Sequence, residues 1–452
     1  MNTVHSGSTN DHHPNSERSL ALRRAAKASF IGNFIEWFDY ASYGYLVTVM
    51  GHTFFPEADK SVQLLLTYAV FAISFILRPI GAVVWGAWGD RWGRRWALSW
   101  SILIMSGSTF FIGFLPTYSV IGMASAIGLL VLRMIQGFSA SGEYAGAGTF
   151  LAEYAPPSRR GIYTSLVPAS TACGLLAGSL MVTGMFSVLS DDVMNAWGWR
   201  VPFLLAGPLG LIGRYIRVHL EDSPAYQEMR AEMPQEQKTA SWSEPLHLLL
   251  RDHLRETLIT FGVSCLNAVA FYMLLTYMPT YVHEELGFSQ DTSTLATSVM
   301  LVVYIAAIFL MGHLSDSFGR RRMLIAACVA FIVLTIPLFV VMMKAADMLA
   351  VVILCEIVFA IALTANDGTL ATFLAESFPT NVRYSGFALS FNGANALLGG
   401  TTPFIVTWLI KVTGSSLAPA VYLTVIAMIA MVAILRSRMI HGSELTEDQA
   451  QS

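Results

Sequence analysis

A chain of 452 residues that is 54% hydrophobic and only 13% charged lies far from the quarter-charged composition of soluble domains. Its net charge of −3 gives no case for a nucleic-acid partner. Its four cysteines, Cys173, Cys265, Cys328 and Cys355, each stand alone in an apolar run, which excludes a disulfide framework or a zinc site by spacing.

The N-terminal residues are polar and lack the charged-then-apolar order of a cleaved signal. Apolar stretches of bilayer-spanning length, about 20 residues, then follow one another. The first six lie near 26–50, 63–87, 96–116, 120–152, 162–189 and 200–219. Six more lie near 256–282, 294–314, 323–343, 348–375, 385–410 and 417–436. The runs are too long for strands and show no alternation at period two. The expected architecture is an all-α integral membrane protein of twelve transmembrane helices. It divides into a tail over 1–24, a six-helix bundle over 25–220, a polar loop over 221–253, a second bundle over 254–438 and a tail over 439–452. Lys and Arg placement sets orientation. With the N-terminus in the cytoplasm, that side collects Arg18, Arg23, Arg24, Lys27, Arg91, Arg94, Arg95, Arg159, Arg160, Arg320, Arg321, Arg322, Arg383, Arg436 and Arg438. The other side receives only Lys60, Arg200, Lys344 and Lys411. Both termini and the central loop, whose flanks add Arg214 and Arg217, are therefore expected in the cytoplasm.

The two halves echo each other. "GDRWGRR" (Gly89–Arg95) follows the second span, and "SDSFGRRR" (Ser315–Arg322) follows the eighth. "FLAEYAPPSRRG" (Phe150–Gly161) answers "FLAESFPTNVRYSG" (Phe373–Gly386), matching Glu153 with Glu376 and Arg160 with Arg383. Both echoes are displaced by about half the chain, so the halves are duplicated bundles of the same orientation. Such repeats suit a transporter whose halves rock about a central site. The pattern Gly86, Asp90, Arg91, Gly93, Arg94, Arg95 resembles the loop signature of the major facilitator superfamily. "GNFIEWFDYASYG", "FILRPIGA", "QGFSASGEYAGA" and "LEDSPAY" resemble its metabolite:proton symporter family, and "NAVAFYMLLTYMPTY" (Asn267–Tyr281) is similar to the proline/glycine-betaine transporters within it. The resemblance covers roughly 20–440 and implies alternating access, a bacterial inner-membrane location and a proton as coupling ion, with no cofactor.

In the repeated loops, Asp90 and Asp316 can face the positive N-terminus of a neighbouring helix. Arg91, Arg94, Arg95, Arg320, Arg321 and Arg383 can latch onto Glu153, Glu376 or helix-end carbonyls. These contacts would close one side of the protein and break on switching.

Ionisable residues inside spans are rare and functional by default. Glu36, Asp39, Arg78, Arg133 and Glu143 belong to the first half, Glu356 and Asp367 to the second. The second half carries no embedded base, and Glu356 falls in the outer part of its span, where a water-facing structural role is expected. Glu36, Asp39, Tyr40 and Tyr43 share a helix face by their spacing. Pairing Arg78 and Arg133 with two of Glu36, Asp39 and Glu143 leaves one carboxylate unpaired as the proton carrier. Asp367 is an additional candidate, either as an added proton site or as the mark of a substrate different from betaine. The choice among the four stays open.

A zwitterion needs a cation for its carboxylate, for which Arg133 is the candidate, and aromatic faces for its ammonium. Trp37, Tyr40 and Tyr43 offer such faces from the first span, Phe271, Tyr272 and Tyr277 from the seventh. Asn267, Asn392 and Asn395 are the polar candidates. The expected function is proton symport of proline, glycine betaine or a similar zwitterion by a monomer in the bilayer. A mono-, di- or tricarboxylate is the alternative, since Arg133 would serve either. An enzyme is not expected, because no Ser/His/Asp or metal set is visible.

Overall fold

The structure is a computed structural model, described for residues 14–232 and 244–437. The tails over 1–13 and 438–452 and part of the central loop lie outside the described residues. Among the described residues the chain is helical throughout, without strands. Eleven helices are long and apolar enough to cross a bilayer. The twelfth span is α1 (Pro14–Tyr45), which is long enough at 32 residues. Its mean hydropathy is held down by Arg23, Arg24, Lys27, Glu36 and Asp39.

The first half continues with α2, built of Lys60–Ile76 and Arg78–Trp92, and α3 (Arg94–Phe114). Then come α4 (Met123–Tyr154), α5 (Pro157–Val188) and α6 (Arg200–Val218). The second half comprises α7 (Leu254–Glu284), α8 (Gln290–Phe318), α9 (Arg320–Lys344), α10 (Leu349–Glu376), α11 (Arg383–Thr413) and α12 (Ala418–Arg436). Two short helices, Pro224–Glu232 and Glu244–Asp252, lie between the halves in sequence.

Local chemistry explains the breaks. The Asp59 side chain caps α2 by accepting the Val62 N–H at 3.0 Å. Gly93 and Gly319 separate α2 from α3 and α8 from α9 at φ 108° and 92°, in the region that favours glycine. The repeated Asp-x-x-Gly-Arg pattern is thus one sharp turn used twice. α4 breaks at Ser141 and Gly142. Wider π-helical turns interrupt α7 at Tyr272–Tyr277 and α11 at Asn395–Gly399. Such turns release backbone groups from the regular ladder and recur at functional positions. Pro279 begins the helical segment just past the α7 turn.

The halves meet where α2 packs on α11, α5 on α8 and α4 on α10. Within the first half, α5 crosses α1 very closely. A Cβ on Gly174 would lie 2.5 Å from the Phe34 carbonyl oxygen, and one on Gly178 would lie 2.7 Å from that of Phe38.

Candidate functional site

All five embedded charges expected in the first half are buried, and the structure gives each a partner. Arg78 Nη2 donates to Glu36 Oε1 at 2.7 Å. Arg133 Nη1 donates to Asp39 Oδ2 at 2.8 Å, Gln136 bridges the two, and the guanidinium lies 3.8 Å from the centre of the Tyr43 ring. Glu143 is held by Arg217, whose Nη1 donates to Oε2 at 2.9 Å and whose Nη2 donates to Oε1. Ser101 also donates to Glu143, at 3.2 Å.

Arg217 corrects the sequence reading, which left one of the three acids without an arginine. It sits in the last turn of α6 and reads from sequence as a membrane-edge anchor. Its side chain instead turns inward, donating to the Ala28 carbonyl at 3.1 Å and the Leu98 carbonyl at 2.7 Å as well as to Glu143. Every carboxylate of the first-half cluster is therefore neutralised.

The second half differs. Asp367 is fully buried and has no arginine. Its Oδ1 accepts from Asn267 at 2.7 Å and Asn366 at 3.0 Å, and its Oδ2 accepts from the Tyr304 hydroxyl at 2.6 Å. Glu356 is also fully buried, and neither of its oxygens is hydrogen-bonded to a described residue. That overturns the water-facing role: position along α10 gave its depth, but its side faces protein.

Between the halves lies a small cavity lined by Trp37, Tyr144, Pro168, Thr171, Asn267, Phe271, Asp367, Phe391 and Asn395. Its open space of about 10 Å³ suits roughly one water. Among the expected binding residues, Trp37, Asn267 and Asn395 line it, as does the proton-site candidate Asp367. Tyr40 and Tyr272 stand one ring behind Trp37, at 5.6 and 6.2 Å between ring centres. Tyr43, Tyr277, Asn392 and Arg133 are not part of its wall. The Tyr43 hydroxyl donates to the Thr67 carbonyl at 3.1 Å. Tyr277 accepts from Thr407 at 3.3 Å within the second half. Asn392 donates across the halves to the Ser141 carbonyl at 2.8 Å, at the α4 break. Arg133 is committed to Asp39 and covered by Tyr43, so it does not reach the cavity as the expected carboxylate anchor. Sequence reasoning missed Tyr144 and Phe391, one from each half, which stack at 4.2 Å. The signal for Tyr144 was present: an aromatic among small residues in "SGEYAGAG".

Further contacts join the two halves around the cavity. On the face carrying the Gly93 and Gly319 turns, Asp90 accepts the Tyr384 and Ser385 N–H groups at 3.1 and 2.8 Å. Asp316 accepts those of Gly161 and Ile162 at 2.8 and 3.1 Å. Arg94 bonds Glu153 at 3.1 Å and reaches the Thr380 carbonyl at 2.7 Å. Arg383 bonds Glu153 at 2.7 Å, and Arg160 bonds Glu376 at 3.3 Å. Arg320 bonds Asp316 at 2.7 Å and Glu376 at 3.4 Å. Both carboxylates, Glu153 and Glu376, thus hold an arginine from each half. Arg95 and Arg321 act differently, tying to the Leu220 and Leu435 carbonyls of their own halves at 2.8 Å each. Arg91 offers its carbonyl to the Tyr226 hydroxyl at 2.6 Å. Toward the opposite face the contacts are aromatic. Trp37 meets Phe271 at 5.0 Å and Phe75 meets Tyr272 at 5.7 Å, with Gly400 pressed onto Phe75.

A model of the Major Facilitator Superfamily matches residues 29–399 and 260–450. The chain belongs to that superfamily. Within it, the chain is 38% identical over 416 residues to the glycine betaine/proline/ectoine/pipecolic acid transporter OusA of Dickeya dadantii, spanning 91% of this chain and 82% of that protein. It is 36% identical over 417 residues to the proline/betaine transporter of Escherichia coli, with the same coverage. Among solved structures it resembles the proton:xylose symporter XylE bound to 6-bromo-6-deoxy-D-glucose, with a TM-score of 0.78 at 19% identity over 96% of this chain and 99% of that one. This superfamily member is a multi-pass membrane protein and a secondary transporter, and its central cavity lies where two rocking halves can expose it alternately.

Proposed function

We propose that the protein imports a small zwitterion of the proline or glycine-betaine type by proton symport. The observation that carries this reading is the composition of the cavity wall: aromatic faces from both halves around a carboxylate, Asp367, that has no arginine. A quaternary or secondary ammonium is attracted by aromatic faces without asking for hydrogen bonds, and Asp367 supplies its counter-charge. The names of the relatives support the same substrate class. A di- or tricarboxylate is disfavoured, since Asp367 would repel a group placed against it.

In this reading the bundles over 25–220 and 254–438 rock about the cavity, joined by the loop over 221–253. The tails over 1–24 and 439–452 and the arginine-rich turns face the cytoplasm of a bacterium, as the excess of Lys and Arg on that side supports. The Asp90, Asp316, Glu153 and Glu376 clusters form the cytoplasmic gate, and the Phe75–Tyr272 contact the periplasmic one. The gate residues must part and reform in each cycle.

The test is uptake of radiolabelled glycine betaine and proline into proteoliposomes under an imposed pH difference. Accumulation above the outside concentration is expected, and it is abolished by a proton uncoupler. Asp367→Asn should weaken betaine uptake at least tenfold, the equivalent of about 1.4 kcal/mol, while leaving the fold intact because the Asn oxygen can still accept from Asn267 and its amide NH2 can donate to the Tyr304 oxygen. Uptake indifferent to the pH difference would remove the symport reading.

A further inference from the structure

The three arginine–carboxylate pairs of the first half are not equally secured. Glu143 uses both oxygens on Arg217 and adds Ser101. Asp39 receives two donors, Arg133 and Gln136, both on Oδ2, and its Oδ1 bonds to no described residue. Glu36 is joined to Arg78 by a single hydrogen bond, and its second oxygen bonds to no described residue. This least-held pair is also the one beside the cavity. Glu36 directly precedes Trp37, which lines it. The Arg78 guanidinium lies 4.6 Å from the centre of the Phe75 ring and 5.1 Å from that of Tyr40. Phe75 in turn makes the contact with Tyr272 and Gly400 that joins the two halves. Arg78 is therefore covered by an inter-half contact, and when the halves separate at Phe75 it becomes the guanidinium closest to an entering solute. Arg133, the other embedded cation of that region, stays beneath Tyr43.

We propose that the Glu36–Arg78 pair couples proton to substrate by partner exchange: the carboxylate of the bound zwitterion takes Arg78, and the released Glu36 binds the transported proton. The proposal rests on the zwitterion reading above. Charge and protons balance at each stage. Before binding, Arg78 is neutralised by Glu36. After binding, Arg78 is neutralised by the substrate carboxylate, the substrate cation faces Asp367, and Glu36 has gained a single proton from the aqueous side. A buried carboxylate deprived of its arginine is costly as an ion, and it relieves the cost by taking a proton. Release of the substrate returns Arg78 to Glu36 and expels the proton, so neither moves alone.

The charged and titratable groups around Glu36 are consistent with this assignment. They are Arg78 on α2, Glu143 on α4 with its Arg217 on α6, Tyr272 on α7, and Asp39 and Tyr40 on α1 itself. Around the same stretch of α1, α3 and α5 contribute the hydroxyls of Ser101, Ser170 and Thr171, which engage Glu143 and Asn33. Among the described residues only Arg78 bonds Glu36, so its loss leaves the acid with no compensating cation in contact among them.

The decisive measurement is proton uptake on substrate addition to purified protein in weakly buffered detergent, followed by a pH dye, with binding measured in parallel by calorimetry. Glycine betaine should draw a proton for each molecule bound to the wild-type protein. Tetramethylammonium, which has the cation but no carboxylate, should bind more weakly and draw none. Glu36→Gln should still bind betaine but draw no proton, and in proteoliposomes it should exchange betaine while failing to accumulate it under a pH difference. Asp39→Asn and Glu143→Gln, where folded, should retain the proton signal. Betaine binding with undiminished proton uptake in Glu36→Gln overturns the assignment. So does proton uptake on tetramethylammonium binding to the wild-type protein, a result that needs no variant. If neither betaine nor proline binds the wild-type protein, the zwitterion reading fails and takes this proposal with it.

Discussion

The two halves of the molecule share a fold and a repeated Asp-x-x-Gly-Arg turn, yet they treat buried charge in opposite ways. In its central cluster the first half buries Glu36, Asp39 and Glu143 and gives each an arginine: Arg78 with Glu36, Arg133 with Asp39 and Arg217 with Glu143. The second buries Asp367 and Glu356, gives the former only neutral donors and leaves the latter without a hydrogen bond to any described residue. At the gate the halves are alike. Asp90 reaches across to two amides of the second half, and Asp316 returns the contact to two amides of the first. Duplication thus preserved the hinge contacts, which both halves need equally, and let the centre diverge. The outcome is an asymmetric cavity, with a balanced charge store on one side and an uncompensated acid on the other.

The largest effect should come from unbalancing the balanced side. Arg217→Met removes the only cation that bonds Glu143 among the described residues and leaves a buried carboxylate without its arginine, which costs about 3–5 kcal/mol. The variant should show a large drop in thermal midpoint in detergent. The double variant Arg217→Met, Glu143→Leu should recover most of the loss, because an apolar pair of similar volume has no charge to satisfy. Equal destabilisation of single and double variants would mean that Arg217 acts through its bonds to the Ala28 and Leu98 carbonyls instead.

Next come the symmetric gates. Asp90→Asn and Asp316→Asn each weaken a pair of amide contacts to the other half, and charge-assisted bonds of this kind contribute about 1.5–3 kcal/mol. Both should shift the population toward opening at the arginine-rich face. A cysteine placed at Thr372, whose hydroxyl meets that of Thr164 between the halves, should then be alkylated faster by about tenfold or more, the rate equivalent of about 1.4 kcal/mol. A response to one Asp and not the other would break the equivalence of the two gates.

Glu356 should respond weakly. Replacing a buried acid that has no hydrogen-bond partner among the described residues with Met exchanges a desolvated polar group for an apolar one, and the result should be neutral or stabilising by about 1 kcal/mol. Asp367→Asn, at the same level of burial, should instead lose transport. That contrast separates an acid facing the cavity from one packed in the wall.

How much of this was legible in the sequence follows from what each residue needs. The spans were readable because crossing a bilayer demands length and hydropathy. The paired turns were readable because the Asp-x-x-Gly-Arg pattern recurs at half the chain length. Arg217 was not readable. An arginine in the last turn of a span looks the same in sequence whether it reaches out to lipid headgroups or in to Glu143, and only the packing of α6 against α1 and α3 decides. Glu356 failed for the complementary reason: depth along a helix follows from counting residues, but the direction a side chain faces depends on its neighbours. Tyr144 and Phe391 are far apart in sequence and become a stacked pair only when α4 and α11 pack across the halves.

The smallest effect tests the comparison at the edge of the membrane, where the first half carries an acid secured by a backbone amide. Asp222, just beyond α6, accepts the Arg95 N–H at 2.8 Å. Burial holds its carboxyl above the ordinary range, against the lowering influence of that N–H and of Arg94 and Arg95. A carboxyl raised in the folded state adds stability below its unfolded value and loses it as pH rises through the folded value. The contact between the α2–α3 turn and the chain after α6 should therefore be tighter in mild acid than at neutral pH. Asp222→Asn stays neutral throughout and should flatten that slope, leaving the thermal midpoint at neutral pH unchanged or slightly raised. A fall at neutral pH would show that the ionised carboxylate is the stabilising form, so that even at the rim the first half depends on its charges being answered.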